Sequence, residues 1–337
     1  KTPHFNLGNA LWDCDSIDEA IACYRAAIEI DPNYAAAHNN LGNGYRAKND
    51  LTAAVQSYAR AASCDPTFML ARFNLASALK DLGHDAEALA EYHEVLELDP
   101  DNALARHMAA ALAGETMSAA PEAFVRQVFD AYAGRFDEHI GAVLDYRAPT
   151  ALRDAVLEQA SGSESGHRAI LGHVLDLGCG TGLVAEAFGD AVEHFDGVDL
   201  SPRMLAEARR KGVYETLVEG ELVAHLLVSA GRDPAYDAVL AADTFIYIGD
   251  LAPVFAGVAG CLVADGVFAF SIEITDVGTF ELQPTGRFAQ SEAYIRNLAL
   301  TYDFTVTLFK RIVIRQELDK PVEGAVCVLL NRAISRA

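Results

Sequence analysis

The chain is poor in basic residues: 26 lysines and arginines stand against 48 aspartates and glutamates in 337 residues, a formal net charge of −22. The acid excess is spread along the chain, and such a surface repels phosphate backbones, so a nucleic-acid substrate is disfavoured. Cysteine is sparse as well. Cys14, Cys23, Cys64, Cys179, Cys261 and Cys327 are scattered, without a C-x-x-C or a nearby histidine pair. This argues against a metal site or a disulfide framework and suits a reducing cytoplasm. No apolar run approaches the roughly 18 residues of a membrane span. The sequence opens at Lys1 without a methionine, so a trimmed start is expected and a missing leader is uninformative. What the chain has in quantity is apolar residues, 51% of the total, enough for two domains with separate cores.

The first third repeats with a period of 34. Asp31-Pro32, Asp65-Pro66 and Asp99-Pro100 recur at that interval, as do Leu7, Leu41 and Leu75; Ala20, Ala54 and Ala88; and Tyr24, Tyr58 and Tyr92. Each period holds two amphipathic helix-length segments, and proline stops the second. Gly8, Gly42 and Ala76 allow close helix approach. This pattern resembles the tetratricopeptide repeat family, with a departure at His4, His38 and Arg72, where the family carries an aromatic. Residues 102–113 read as a further helix closing the stack. The resemblance implies a concave face on which Asn6, Asn40 and Asn74, with Asn9, Asn43 and Ser77 one turn later, grip an extended peptide through its amides. The same asparagines are also common in the repeat for structural reasons. Phe5, Asn39 and Phe73 stand where the family's carboxylate clamp needs lysine, so that mode is disfavoured.

Gly114 to Ala120 reads as a small-residue linker, and Pro121 as the first residue of the next helix. The expected divisions are 1–117 for the repeats, 118–166 for a helical linker or lid, and 167–337 for an α/β domain.

From residue 170 onward strands and helices alternate, which predicts a parallel sheet covered on both faces. Strands are expected over 173–177, 194–199, 215–219, 237–242, 266–273, 303–314 and 324–331, the last two as an antiparallel hairpin around a turn from Leu318 to Gly324. The apolar run Val174 to Leu177 breaks at Gly178-Cys179-Gly180-Thr181-Gly182, a helix follows, and a second strand ends at Asp199. Strand, glycine loop, helix, strand and terminal acid form a nucleotide-binding half-unit in which the acid accepts ribose hydroxyls. A dinucleotide fingerprint would need glycine at position 183, which is Leu183.

Asp176-x-Gly178-x-Gly180-x-Gly182 instead resembles the cofactor loop of class I S-adenosylmethionine-dependent methyltransferases, a Rossmann-like fold with a seven-stranded sheet. The segment FDAYAGRFDEHI, followed by LDYRAP, resembles the part ahead of the core in bacterial fusions of these repeats to a methyltransferase. The resemblance implies S-adenosylmethionine as the cofactor, held by Asp176, Gly178, Cys179, Gly180, Thr181 and Gly182. Cys179 reads as a packing residue rather than a nucleophile. Tyr132 and Phe136 are implied to fold over the cofactor, and Glu221 with Leu222 to meet the adenine amino group.

In an open α/β sheet, ligands gather at the carboxyl ends of the strands. Those ends supply Asp199, Leu200, Ser201 and Met204 after the second strand, and Ala241, Ala242, Asp243 and Thr244 after the fourth. Asp243, Tyr247 and His139 are the candidates for catalysis, with Glu273 beside them and Arg287 and Tyr294 as further acceptor contacts. The Asn/Asp-Pro-Pro-Tyr of amide methyltransferases is replaced by Ala242-Asp243-Thr244-Phe245. The reading is a methyltransferase whose repeats recruit a protein or peptide. The alternatives are a small-molecule enzyme whose repeats dimerise, or a non-catalytic scaffold.

Overall fold

A computed structural model describes residues 1–137, 140, 146–161, 171–230, 235–317 and 320–332. The chain forms two compact units, Lys1–Glu115 and Thr116–Ala337.

The first unit is a helical array: α1 (Thr2–Asp13), α2 (Ile17–Ile30), α3 (Ala35–Ala47), α4 (Leu51–Cys64), α5 (Met69–Asp81), α6 (Asp85–Leu98) and α7 (Ala103–Ala113). Successive helices pack pairwise around Tyr24, Tyr58 and Tyr92, all buried. A β-carbon on Gly8 or Gly42 would come within 2.6 Å of Tyr24 or Tyr58. The tyrosine hydroxyls are satisfied inside the array: Tyr24 donates to Asn9 (3.0 Å), Tyr58 donates to Asn43 (2.8 Å), and Tyr92 pairs with Ser77 (3.1 Å).

The departures at His38 and Arg72 have a structural use. His38 Nε2 meets the carbonyl of Pro32 at 3.0 Å, and Arg72 Nε donates to that of Pro66 at 3.0 Å. Arg106, one period on, donates to Pro100. A polar side chain at this position ties each helix start to the turn before it, satisfying a carbonyl of the turn just past the ended helix. The asparagines form a ladder: Asn40 donates to Asn9 (2.9 Å), Asn39 to Asn40 (3.2 Å) and Asn74 to Asn39 (2.9 Å).

The second unit begins with a tied segment rather than a free linker. Ala119 bridges Ile248, Ser118 accepts from Gly249 and Asp250, and Ala120 donates to Tyr247. Pro121 then caps α8 (Glu122–Tyr132), one place ahead of its expected position. The expected 118–166 segment therefore lies within the compact unit of the sheet.

The sheet has β1 (Leu171–Leu177), β2 (Val192–Asp199), β3 (Thr216–Glu219), β4 (Tyr236–Ala241), β5 (Leu262–Ile274), β6 (Phe280–Leu282), β7 (Phe288–Gln290), β8 (Phe304–Glu317) and β9 (Lys320–Asn331). β3, β2, β1, β4 and β5 run parallel in that order, β9 pairs antiparallel with β5, and β8 with β9. These seven are the expected core. Two strands were not expected: β6 and β7 form a hairpin whose second strand adds to the end of β5. They are three residues each, too short for a visible alternation. The final hairpin is also longer than expected. Pro321 and Gly324 lie in β9, paired with Gln316 and Ile312, and Leu318 and Asp319 fall outside the described residues.

Both faces of the sheet are buried, as parallel strands require. Leu175, Val239, Phe270 and Cys327 point into one core, with the helices Ala252–Cys261 and Glu292–Thr301. Val174, Leu240, Ala269 and Val328 point into the other, with the helices Ala148–Ser161 and Leu183–Phe188. The strand order reverses between β1 and β4, and a crevice opens at their carboxyl ends.

Candidate active site

A cavity of about 260 Å³ occupies that crevice. Its floor is Gly178 and Gly180 after β1, Asp199 and Leu200 after β2, and Ala242, Asp243 and Thr244 after β4. Gly178 has φ +68°, and a β-carbon there would lie 2.6 Å from Thr244. Thr244 cannot withdraw, because its hydroxyl donates to the Leu177 carbonyl at 2.8 Å. Gly180 has φ +53° and open space where a side chain would stand, so its backbone is bared to the cavity. Asp199 fixes the loop: its oxygens accept from Gly180 N (2.9 Å) and Ser201 N (2.8 Å). Burial raises its proton affinity, and those backbone donors oppose the rise.

The roof is apolar. Val125, Val128, Phe129 and Tyr132 fall on one face of α8, at spacings of three and four, and all line the cavity with Phe136 and Ile140. Polar contacts hold this roof down. Arg126 pairs with Glu219 (2.7 Å), Asp130 accepts from Ser201 Oγ (2.6 Å), and Asp137 meets both Thr181 and Lys211. Tyr247 packs edge-on to Phe129 at 5.5 Å.

The far end is ionic. Arg315, at the end of β8, is only 4% exposed in its side chain. It donates Nε to Glu317 (2.7 Å), one terminal nitrogen to Asp243 Oδ2 (2.5 Å), and the other to Glu273. Arg287, just before β7, grips both oxygens of Glu317 (2.6 and 2.9 Å) and reaches Glu273 at 3.4 Å. Asp243 stands at φ +57°, its amide held by Ser271 Oγ at 2.8 Å. Its Oδ1 is buried and has no hydrogen-bond partner among the described residues. Burial raises the proton affinity of Asp243, against the attraction of Arg315 and Arg287. It does the same for Glu273. The Tyr247 phenol is also pushed up, chiefly by burial.

A family profile described as a methyltransferase domain matches residues 175–268, and tetratricopeptide profiles match 8–45, 35–68 and 70–102. The chain joins tetratricopeptide repeats to a methyltransferase domain. It is 34% identical over 119 residues to the human methyltransferase-like protein 27, covering 33% of this chain and 43% of that protein. It is 29% identical over 161 residues to the ubiquinone biosynthesis O-methyltransferase of Bordetella pertussis, covering 46% and 65%. The chain thus spans 43% and 65% of the length of these two relatives. The solved magnesium protoporphyrin IX methyltransferase of Synechocystis with bound SAH aligns over 63% of this chain and 100% of that one, at 17% identity and a TM-score of 0.47.

Within the methyltransferase domain, Gly178, Gly180, Asp199, Leu200, Leu222, Ala242, Asp243, Tyr247, Tyr132, Phe136 and Arg287 all line the one cavity. Cys179, Thr181, Gly182, Asp176 and Met204 stand behind that surface and shape the loop. Cys179 is buried against the Gly197 backbone, and burial pushes its thiol up. Glu221 caps the following helix, accepting from Val223 N (2.9 Å) and Ala224 N (2.7 Å), and of that pair only Leu222 lines the cavity. Tyr294 is turned away, bonded to Asp250 and to the Leu251 amide. His139 lies outside the described residues. Arg315, Glu317 and Tyr146 line the cavity and were not anticipated. Among the described residues, no cluster of three or more His, Cys, Asp or Glu is arranged to hold a metal ion.

Asp176 gives a pH test of this loop. It is fully buried; Oδ2 accepts from Tyr214 at 2.7 Å, and Oδ1 has no partner among the described residues. Burial lifts its carboxyl from 3.8 to about 7, the Tyr214 bond works against the rise, and Asp199 adds to it. The folded state then holds this proton more tightly than the unfolded chain. Its stabilising contribution is complete below about pH 4 and is lost as pH rises through about 7. Asp176→Asn keeps an acceptor for Tyr214 and removes the titration. Chemical denaturation across this window is expected to show the wild type losing a few kcal/mol relative to the variant. Parallel curves would refute it.

Proposed function

We propose that the chain transfers the methyl group of S-adenosylmethionine to an acceptor recruited or oriented by its repeats. The observation that carries this reading is one cavity with two chemically different ends. One end bares glycine backbone beside a fixed carboxylate, and the other holds a carboxylate oxygen without a partner. Asp199 keeps spare lone pairs on both oxygens for ribose hydroxyls. Leu200 and Leu222 offer apolar cover for the adenine, and Tyr132 and Phe136 close over it. The donor brings a methyl on a sulfonium, which leaves as a neutral thioether. The protein's part is alignment and exclusion of water by the α8 roof. Asp243 and Tyr247 face the acceptor.

The repeats contribute an interaction surface for a protein or peptide. Asn40 and Asn74 already share their amides within the ladder, so a bound chain would use their remaining lone pairs together with the exposed Asn6. Calorimetry with the full chain is expected to show S-adenosylmethionine binding that Asp199→Ala weakens by about tenfold or more, the loss of one charge-assisted bond or more. No binding by the full chain, or unchanged binding by the variant, would sink the donor assignment. Labelled methyl transfer into a fractionated lysate then tests recruitment. Equal labelling of the same component by residues 116–337 alone would remove the repeats from acceptor choice.

A further inference from the structure

The ionic end of the cavity contains three carboxylates, from Asp243, Glu273 and Glu317, and two guanidiniums, from Arg287 and Arg315. Each glutamate touches both arginines, whereas Asp243 touches one through a single oxygen. The surplus negative charge therefore resides at Asp243, and its unpartnered Oδ1 is a buried acceptor waiting for a donor. A buried oxygen in that state is unfavourable, and a ligand bearing N–H or O–H relieves it. A carboxylate ligand brings only acceptors and meets a like charge. Both arginines are already committed to the protein's own acids.

Resting on the proposed methyl transfer, we propose that the acceptor is an uncharged or cationic hydroxyl or amine on an apolar body, held by Asp243 Oδ1, and that Glu317 excludes carboxylate acceptors by occupying Arg287. The balance of the step agrees with this. The acceptor lone pair forms the new bond to the methyl carbon, and the carbon–sulfur pair leaves with sulfur. The positive charge passes to the acceptor atom, whose proton goes to Asp243. An amine that arrives as an ammonium gives that proton to Asp243 first, because only the free base has a lone pair, and its methylated product keeps the new charge. A negative wall stabilises that charge as it arrives. With a carboxylate acceptor the two charges would cancel, no proton would need a base, and the wall would oppose binding. The apolar body is required by Val125, Val128, Phe129 and Ile246, which line the same space.

Three probes sharing one ring separate the cases: benzyl alcohol, benzylamine and benzoate, titrated into the full chain saturated with S-adenosylhomocysteine. The alcohol or the amine is expected to bind, and benzoate to bind about tenfold more weakly or worse; which of the two binds tighter identifies the donor. Glu317→Gln frees Arg287 and removes one negative charge, so benzoate affinity should rise about tenfold while the alcohol changes little. A thermal melt of the variant checks its fold, and the wild-type preference stands without it. Benzoate binding the wild type as tightly as the others, or neither donor binding, overturns the proposal. A variant that folds and gains no benzoate affinity overturns the role of Glu317. Absence of S-adenosylhomocysteine binding would instead count against the methyl-transfer reading itself.

Discussion

Asp243→Asn is expected to lower kcat by about 10²- to 10⁴-fold while leaving S-adenosylmethionine affinity nearly unchanged. The substitution is chosen for what it preserves. Asparagine tolerates the left-handed backbone at this position. Its amide oxygen can still accept from Arg315, so the ionic end stays assembled. What it loses is the ability to take a proton. The pH dependence should follow. Asp243 is faced by Arg315 and Glu317 from β8, Glu273 from β5, Arg287 from ahead of β7, and the Tyr146 and Tyr247 phenols. Burial outweighs the arginines and raises its carboxyl above 3.8. A base must be ionised to act, so kcat/KM of the wild type should fall as pH drops through that raised value. The limb should lie above the ordinary aspartate range, and the asparagine variant should show no such limb. Retention of most of kcat by Asp243→Asn would exclude Asp243 as the proton acceptor.

Arg315→Met should be the most destabilising single change in the methyltransferase domain, by about 3–5 kcal/mol. The arginine is almost wholly buried and holds three carboxylates at once. Methionine fills the space and abandons all three, leaving Glu273, itself 5% exposed in its side chain, with one longer contact to Arg287 at 3.4 Å. Arg315→Lys keeps the charge without the fork and should lose less. Urea unfolding of the full chain measures both, provided the transition of the methyltransferase domain is followed separately from that of the repeats. A methionine variant within about 1 kcal/mol of wild type would show that the carboxylates are satisfied by solvent.

The difference between what was legible and what was not follows from how each signal is written. The Gly178–Gly182 loop and Asp199 each have their own backbone reason, and the structure brings Gly178, Gly180 and Asp199 to one cavity. The 34-residue period was equally plain, since each repeat restates the same packing. Arg315 and Glu317 lie beyond the expected strand end at residue 314. β8 runs on to Glu317, with its register shifted between Val306 and Leu308 and again between Val313 and Arg315, so a simple alternation of faces does not reach either residue. Glu221 is less legible because an acid after a strand serves equally well as a ligand contact or as the cap of the next helix, and here both oxygens cap. The β6–β7 hairpin carried too few residues to announce itself, yet it delivers Arg287.

The contact of His38, Arg72 and Arg106 with the proline six residues before each has a consequence for how such an array can change over generations. Each turn that ends a repeat is closed by a side chain on the first helix of the next, so every junction between repeats is made in the same way. A duplicated stretch of 34 residues would arrive with its clasp included. Unequal crossing-over could therefore lengthen or shorten this part of the gene in whole units, and each product would fold without compensating mutations elsewhere. Reach toward a partner becomes an inherited length that can vary in steps while the chemistry downstream is left alone.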